Sequence, residues 1–238
     1  MKKTLLAVAL LATVSAANAA DGWKSSVELG TVLTSGNTQT QSLNAKGGTE
    51  YIKGKSRTTV SLTALSVTGK DNSNGQFQRL AERFTGEGKT AYQYTKHSYA
   101  FLASTGVRDI FSGFAYQFSA TAGYGYRALD TAKYVLDFEA GPGYRQTRLS
   151  GEKTDVSTAI AHVAVNGKWN ISKTSALTED FVTEGSDYFL TQSVTALSAK
   201  IKENLSMKLS LTIKNNSSPP AGKVGTDTST AVTLVYTM

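Results

Sequence analysis

Residues 205–214 read LSMKLSLTIK, and apolar and polar side chains alternate at every position of this stretch. The odd-numbered positions carry leucine, methionine or isoleucine, and the even-numbered positions carry serine, threonine or lysine. Successive side chains of a β-strand point to opposite faces of the sheet, so the stretch predicts a strand with one apolar and one polar face. The mean hydropathy of the whole chain is slightly negative. A continuous apolar strand face in such a chain therefore needs an apolar surface or solvent to contact. We predict that this face lies against lipid.

The same alternation recurs along the chain and is clearest in two neighbouring segments. In 114–128 the even-numbered positions are aromatic residues and alanine, against polar residues and glycine, and 133–147 repeats this pattern. Turn-rich stretches separate the alternating segments, which is typical of a chain of antiparallel strands. Twelve strands are predicted, at 22–34, 38–51, 56–67, 77–94, 98–108, 114–128, 133–147, 155–169, 175–185, 189–201, 205–214 and 227–238.

The lengths of the connections favour a membrane barrel. Connections after even-numbered strands are short, for example KEN at 202–204, whereas those after odd-numbered strands include the long segments 68–76 and 215–227. Outer-membrane barrels have short periplasmic turns, longer external loops and an even strand number. We therefore predict an all-β fold, an antiparallel transmembrane β-barrel of twelve strands in the bacterial outer membrane. A soluble β-sandwich in the periplasm is the alternative, since it also has alternating strands.

Aromatic residues collect near the predicted strand ends, as expected for girdles at the two lipid–water interfaces. Two positions interrupt the apolar faces, Glu82 and Glu179. The predicted periplasmic girdle contains Trp23, Tyr51, Tyr94, Tyr99, Tyr126, Tyr134, Trp169 and Tyr236, and the predicted outer girdle contains Phe111, Phe114, Tyr144, Phe181 and Phe189.

The N-terminus has the three parts of a secretory signal peptide. Lys2 and Lys3 precede an apolar segment at 5–14, and Ala-Asn-Ala at 17–19 is a small-x-small cleavage site. The apolar segment is too short to span a membrane. We expect residues 1–19 to be the signal peptide and 20–238 to form one barrel domain.

Composition narrows the classes of function. Without Lys2 and Lys3 the chain keeps 23 of its 25 basic residues against 18 acidic ones, a net charge of +5, and no basic run resembles a nucleic-acid-binding face. Cysteine is absent and histidine occurs twice, so neither a thiol nucleophile nor a Cys- or His-rich metal site is expected. We predict no cofactor, no metal and no nucleic-acid partner.

Three segments resemble a known family: TSGNTQTQSLNAKGG at 34–48, YGYRALDTAKYVLDFEAGPGYR at 124–145 and NNSSPPAGKVGTDTSTAVTLVYTM at 215–238. The chain resembles the YdiY-like family of salt-induced outer-membrane proteins, whose shared domain has no known function. The resemblance implies an outer-membrane barrel, a link with salt stress and no enzymatic activity. Outer-membrane barrels usually end in an aromatic residue, whereas this chain ends in Met238 two residues after Tyr236.

The predicted lumen is the place to look for function, because the polar strand faces carry many charged residues. Counted over these faces, basic residues outnumber acidic ones, and the basic set includes Arg108 and Lys133. The charges either neutralise one another and plug the barrel, or leave a narrow aqueous path that prefers anions. Twelve strands lie between the eight that side chains fill and the sixteen that leave an open channel. The lumen-lining candidates are Lys46, Glu50, Arg127, Asp137, Glu139, Arg145, His162, Lys168 and Lys208.

One pair of lumen residues supports an enzymatic alternative. His162 is predicted to face Glu139 on the neighbouring strand, with Ser157 and Thr158 nearby, and a histidine–carboxylate pair is half of an acid–base dyad. The alternative interpretation is a lumen histidine that forms hydrogen bonds and has no catalytic role. Three hypotheses follow: a small channel or envelope component with no enzymatic activity, a lipid hydrolase or protease on a barrel, and a structural or surface-recognition barrel. The expected partners are outer-membrane lipid, the barrel assembly machinery and small solutes or ions, and the expected state is a monomer.

Overall fold

A computed structural model describes residues 22–33, 40–70, 77–109, 113–220 and 224–238. No helix within these ranges is long and apolar enough to cross a membrane. Every predicted strand is present, with ends within three residues of the prediction wherever the ends are described. The strands are β1 (Trp23–Leu33), β2 (Thr40–Lys53), β3 (Ser56–Lys70), β4 (Phe77–Gln93), β5 (Ser98–Asp109), β6 (Phe114–Asp130), β7 (Tyr134–Leu149), β8 (Val156–Asn170), β9 (Ser175–Gly185), β10 (Phe189–Lys202), β11 (Leu205–Asn216) and β12 (Thr226–Thr237).

The twelve strands close into one antiparallel barrel in which each strand pairs with its neighbours in sequence. The barrel closes where β1 pairs with β12, from Ser26 opposite Thr237 to Leu33 opposite Thr230. Closure leaves no unpaired sheet edge, and this satisfies the backbone hydrogen bonds of every strand without water.

The outer wall of the barrel is apolar and exposed. On β11, Met207, Leu209 and Leu211 are 47%, 48% and 40% exposed, and on β3 and β5 the outward Leu62 and Leu102 exceed 60%. Among the described residues no large side chain is fully buried, so the barrel has no compact apolar core. A soluble sandwich would bury these side chains between its sheets. The exposed apolar wall is what a barrel in contact with lipid requires.

The aromatic girdles are largely as predicted, with two corrections. On the outer wall the rings of Trp23 and Tyr51 lie 4.5 Å apart, and those of Tyr134 and Trp169 stack at 6.2 Å. The prediction for Tyr99 is wrong, because its side chain points into the lumen and is only 8% exposed.

Phe114 is the second correction. It also packs inside, at 9% exposed. A register shift between Phe114 and Tyr116 moves it off the outward face. Phe111 lies outside the described residues.

One glycine explains how Tyr99 fits inside. Gly125 lies opposite Tyr99 on β6, and a Cβ atom there would lie 2.2 Å from the Tyr99 ring. Three further glycines on β6 and β7 lie close to the adjacent strand; a Cβ atom on Gly123, for example, would lie 2.2 Å from the carbonyl oxygen of Ala140. The missing side chain of Gly125 therefore leaves the space that the Tyr99 ring occupies.

Candidate functional site: the charged lumen

The structure places all nine lumen candidates on the inner face of the wall. Ion pairs between strands that are not neighbours identify this face, because side chains converge only on the concave side of a curved sheet. Lys89 on β4 contacts Glu139 on β7, and Lys208 on β11 contacts Glu28 on β1. Alternation along each strand, with the observed register, then assigns the other members.

Three further ion pairs follow the inner wall from the short turns at one end of the barrel to the longer loops at the other. The Arg127 guanidinium donates to both carboxylate oxygens of Asp137, at 2.8 and 3.0 Å. Nearer the turns, Arg57 lies 3.6 Å from Glu50. Nearer the outer loops, Arg83 donates to Asp109 at 2.5 Å.

Sequence reasoning missed the pair Arg83 and Asp109 and selected Arg108 instead. Arg108 pairs in register with Phe84 and lies on the outer face, so the prediction of a lumen position for it is wrong. The neighbouring Asp109 occupies the inner face, where it meets Arg83. Lys133 lies in the turn before β7, with its ammonium 5.4 Å from the centre of the Tyr134 ring, and so is not part of the lumen wall.

A buried cluster on β7, β8 and β9 narrows the middle of the lumen. Glu184 accepts a hydrogen bond from Arg145 at 3.3 Å and contacts His162 Nδ1 at 2.8 Å. The prediction that His162 faces Glu139 is wrong, because the register places His162 opposite Gly141 on one side and Glu184 on the other. Arg145 and His162 are 3% and 7% exposed, so this cluster packs against the wall.

Among the described residues, no hydroxyl group is hydrogen-bonded to His162, whose ring contacts Glu184. Its Nε2 atom is buried and has no hydrogen-bond partner among the described residues. The Ser157 hydroxyl lies on the outer face of β8, where it contacts the Tyr144 hydroxyl at 2.7 Å. The enzymatic hypothesis therefore gains no support from the residues around this histidine.

Some lumen charges have no partner of opposite sign within 4 Å in the part of the chain that the structure describes. Five are basic and three are acidic, so the unpaired lining carries a basic excess. They are Lys24, Lys46, Lys168, Lys200 and Lys214, with Glu87, Asp180 and Asp227.

Two cavities occupy the lumen. The outer cavity has a volume of about 530 Å³ and extends from Arg145 and Glu184 to Pro219, Pro220 and Val224 in the β11–β12 loop. The inner cavity has a volume of about 430 Å³, is lined by residues of the β2–β3 turn, and has six ion-paired residues among its sixteen lining residues. The ion pair Lys89–Glu139 lines the inner cavity, and the ion pair Arg145–Glu184 lines the outer cavity.

Hydrogen bonds anchor the two described ends of the β11–β12 loop, 217–220 and 224–225, beside the outer cavity. Ser217 donates its N–H to the Phe189 carbonyl at 3.0 Å, and the Ser217 hydroxyl accepts from the Phe189 N–H at 2.8 Å. At its base the Asn216 N–H donates to the Gly225 carbonyl at 2.7 Å. The described start of the loop is thus anchored to β10, and Pro219, Pro220 and Val224 line the outer cavity.

A second outer loop, between β7 and β8, is fixed by Asp155. Arg148 and Gln146 donate to its two carboxylate oxygens at 2.6 and 2.7 Å. The hydrogen bond from Arg148, followed by one from Tyr116, holds the pKa of Asp155 below its ordinary value. The contact therefore persists above the ordinary carboxyl pKa and is lost as the pH falls through the lowered pKa.

Comparison with known proteins identifies the family. The model of the family described as "Protein of unknown function, DUF481" matches residues 27–238. The chain belongs to the DUF481 family. This DUF481 chain is 25% identical over 224 residues to the uncharacterized protein YdiY of Escherichia coli (strain K12), covering 93% of the chain and 86% of YdiY.

The DUF481 chain is also similar to solved barrel structures. The KdgM porin matches with a TM-score of 0.48 and 10% identity, over 89% of this chain and 98% of the porin. The anion-selective porin from Comamonas acidovorans matches with a TM-score of 0.44 and 10% identity, over 91% of this chain and 98% of that porin. These scores are too low to carry an argument about function, so the fold rests on the closed strand order itself.

Proposed function

We propose that this DUF481 protein is an outer-membrane barrel that passes ions or small charged solutes through its lumen. The observation that carries the proposal is the inner wall, where ion pairs leave two cavities and eight charges without a partner of opposite sign in the described residues. A barrel with a purely structural role has no need for unpaired charges in its interior, because burying them is costly. Water in the lumen removes that cost.

The basic excess among the unpaired charges sets the expected selectivity. Fixed charges of one sign in a narrow pore attract the opposite ion, as rings of Arg and Lys do in anion pores. We expect a preference for anions. The link with salt stress comes from the family resemblance alone and stays a prediction.

Removing the loop at the outer mouth is expected to raise the conductance several-fold. Residues 217–224 are replaced by Asn-Gly, the two-residue turn that suits an antiparallel hairpin. The strands below keep their register, since Asn216 already donates its N–H to the Gly225 carbonyl and Asn215 pairs with Thr226. The measurement is single-channel recording in a planar lipid bilayer under a KCl gradient. We expect the sign of the reversal potential to be that of an anion-selective pore.

The matched control shortens the β7–β8 loop by replacing residues 150–153 with Asn-Gly, because none of these residues lines either cavity and the pairing of Thr147 with Val156 is kept. This variant should conduct as the parent does. The channel is rejected if neither the parent nor the 217–224 variant gives current steps above those of bare lipid.

A further inference from the structure

The outer cavity has an apolar wall that ion conduction does not explain. Side chains on the inner face of a water-filled barrel are ordinarily polar. Around the outer cavity, however, six inward-facing or inward-packed side chains from five strands are apolar: Leu65, Val67, Val107, Phe114, Val182 and Leu190. Val67 and Phe114 are 6% and 9% exposed, so they form a packed surface.

The same cavity holds unpaired charges of both signs. The Lys214 ammonium has no ion pair among the described residues, although Asp227 is its cross-strand neighbour. Glu87 receives one hydrogen bond, from the Ser61 hydroxyl at 2.8 Å, and meets no cation within 4 Å in the described structure. The other charged residues that line the cavity already have partners, namely Arg83 with Asp109 and Arg145 with Glu184.

We propose that the outer cavity is a binding site for a small zwitterion with an apolar body, of the chemical class of the apolar α-amino acids. The carboxylate of the ligand pairs with Lys214, its ammonium pairs with Glu87 or Asp227, and its apolar body lies on the six apolar side chains. The proposal rests on the proposed function only in that the lumen is the route to the site.

Size and charge distinguish this ligand class from others. A cavity of about 530 Å³ falls at the small end of the 300–1,000 Å³ typical of ligand pockets. A simple inorganic ion would leave the apolar wall unused. A singly charged amphiphile would satisfy Lys214 or the two carboxylates, but not both.

Isothermal titration of the full-length mature protein in detergent micelles tests the proposal with four probes. L-phenylalanine carries the carboxylate, the ammonium and the apolar body. Each of the other probes lacks one of these: 3-phenylpropionate lacks the ammonium, 2-phenylethylamine lacks the carboxylate and glycine lacks the apolar body. L-phenylalanine is expected to bind about tenfold or more tightly than each of the others, the effect of one charge-assisted contact or a comparable apolar area. Equal affinity for L-phenylalanine and any of the other three probes would overturn the proposal.

Two lysine variants locate the site. Lys214→Met is expected to reduce the affinity for L-phenylalanine to that of 2-phenylethylamine. Lys168→Met removes another lumen lysine without an ion pair, on β8 next to the periplasmic turn, and should leave binding unchanged. Equal loss in both variants, with both still folded by their migration in unheated gels, would contradict the assignment.

The outcome separates this proposal from the channel. Binding of L-phenylalanine without conductance would reject the channel and keep the site. Conductance without selective binding would keep the channel and reject the site.

Discussion

Leu209→Arg is expected to destabilise the folded barrel in phospholipid vesicles by about 2–4 kcal/mol, the cost of a cation on the lipid face near the middle of a membrane barrel. Leu209 is the fifth of twelve residues in β11, and its side chain is 48% exposed on the outer wall between Met207 and Leu211. An arginine there has only lipid and apolar side chains around it. The free energy of unfolding is measured by reversible denaturant titration of vesicle-inserted protein.

Thr212→Arg is the matched control on the same strand. Thr212 lies on the inner face, in register with Val194 and Ser229, so the new guanidinium reaches the aqueous lumen. Repulsion from Lys208 and Lys214 is screened by water, and the expected cost is below about 1 kcal/mol. Equal costs for the two substitutions would contradict the assignment of the two faces.

Glu184→Leu is expected to cost about 3–5 kcal/mol, because it leaves a buried cation without its partner. The Arg145 side chain is 4% exposed, and its only carboxylate contact in the described structure is Glu184. His162 loses its Nδ1 partner in the same step. The free energy of unfolding is measured in vesicles as for Leu209→Arg.

Glu50→Leu is the control for a pair at the barrel end. The side chains of Arg57 and Glu50 are 48% and 28% exposed and lie 3.6 Å apart, so removal should cost about 0–1 kcal/mol. Adding Arg145→Met to Glu184→Leu should restore most of the lost stability, since both buried charges are then gone. If the double variant is as unstable as Glu184→Leu alone, the unpaired cation is not the cause.

Strand positions and faces were predictable because the alternation in β11 and β7 continues over whole strands. Prediction failed where a local irregularity changes the parity. Phe114 lies at such a point, because β6 has an extra residue between Phe114 and Tyr116 relative to β7. An extra residue in one strand turns the following side chain to the other face, and no residue type in this segment marks the site. Arg108 failed for another reason: β5 alternates regularly, and the prediction had its two faces exchanged, so that Arg108 lies on the outward face with Leu102.

Tyr99 and His162 failed for different reasons. The sequence does not distinguish a strand-end tyrosine that faces lipid from one that faces the lumen. Tyr99 faces the lumen, where the space next to Gly125 accommodates its ring. The partner of His162 depends on the register across the β8–β9 turn. Asn170 pairs with Ala176 there, which places Glu184 opposite His162, whereas pairing of Asn170 with Ser175, the first residue of β9, would place Thr183 there.

The two interpretations of the lumen charges apply to different residues. The pairs Arg127–Asp137 and Arg145–Glu184 neutralise buried charge, as a plug requires. Lys46 and Lys168 have no partner of opposite charge among the described residues, as an aqueous path requires. Residue types alone could not divide them, because pairing depends on cross-strand distances.

The central claim is that odd-numbered residues of 205–214 face lipid and even-numbered residues face the aqueous lumen. The chain has no cysteine, so single cysteines introduced across this stretch carry a nitroxide label without background. In vesicles, we predict that collisions with oxygen, which dissolves in lipid, peak at odd positions and collisions with a water-soluble nickel chelate peak at even positions, with a period of two. A profile without this alternation, or with the two reagents exchanged, would contradict the account.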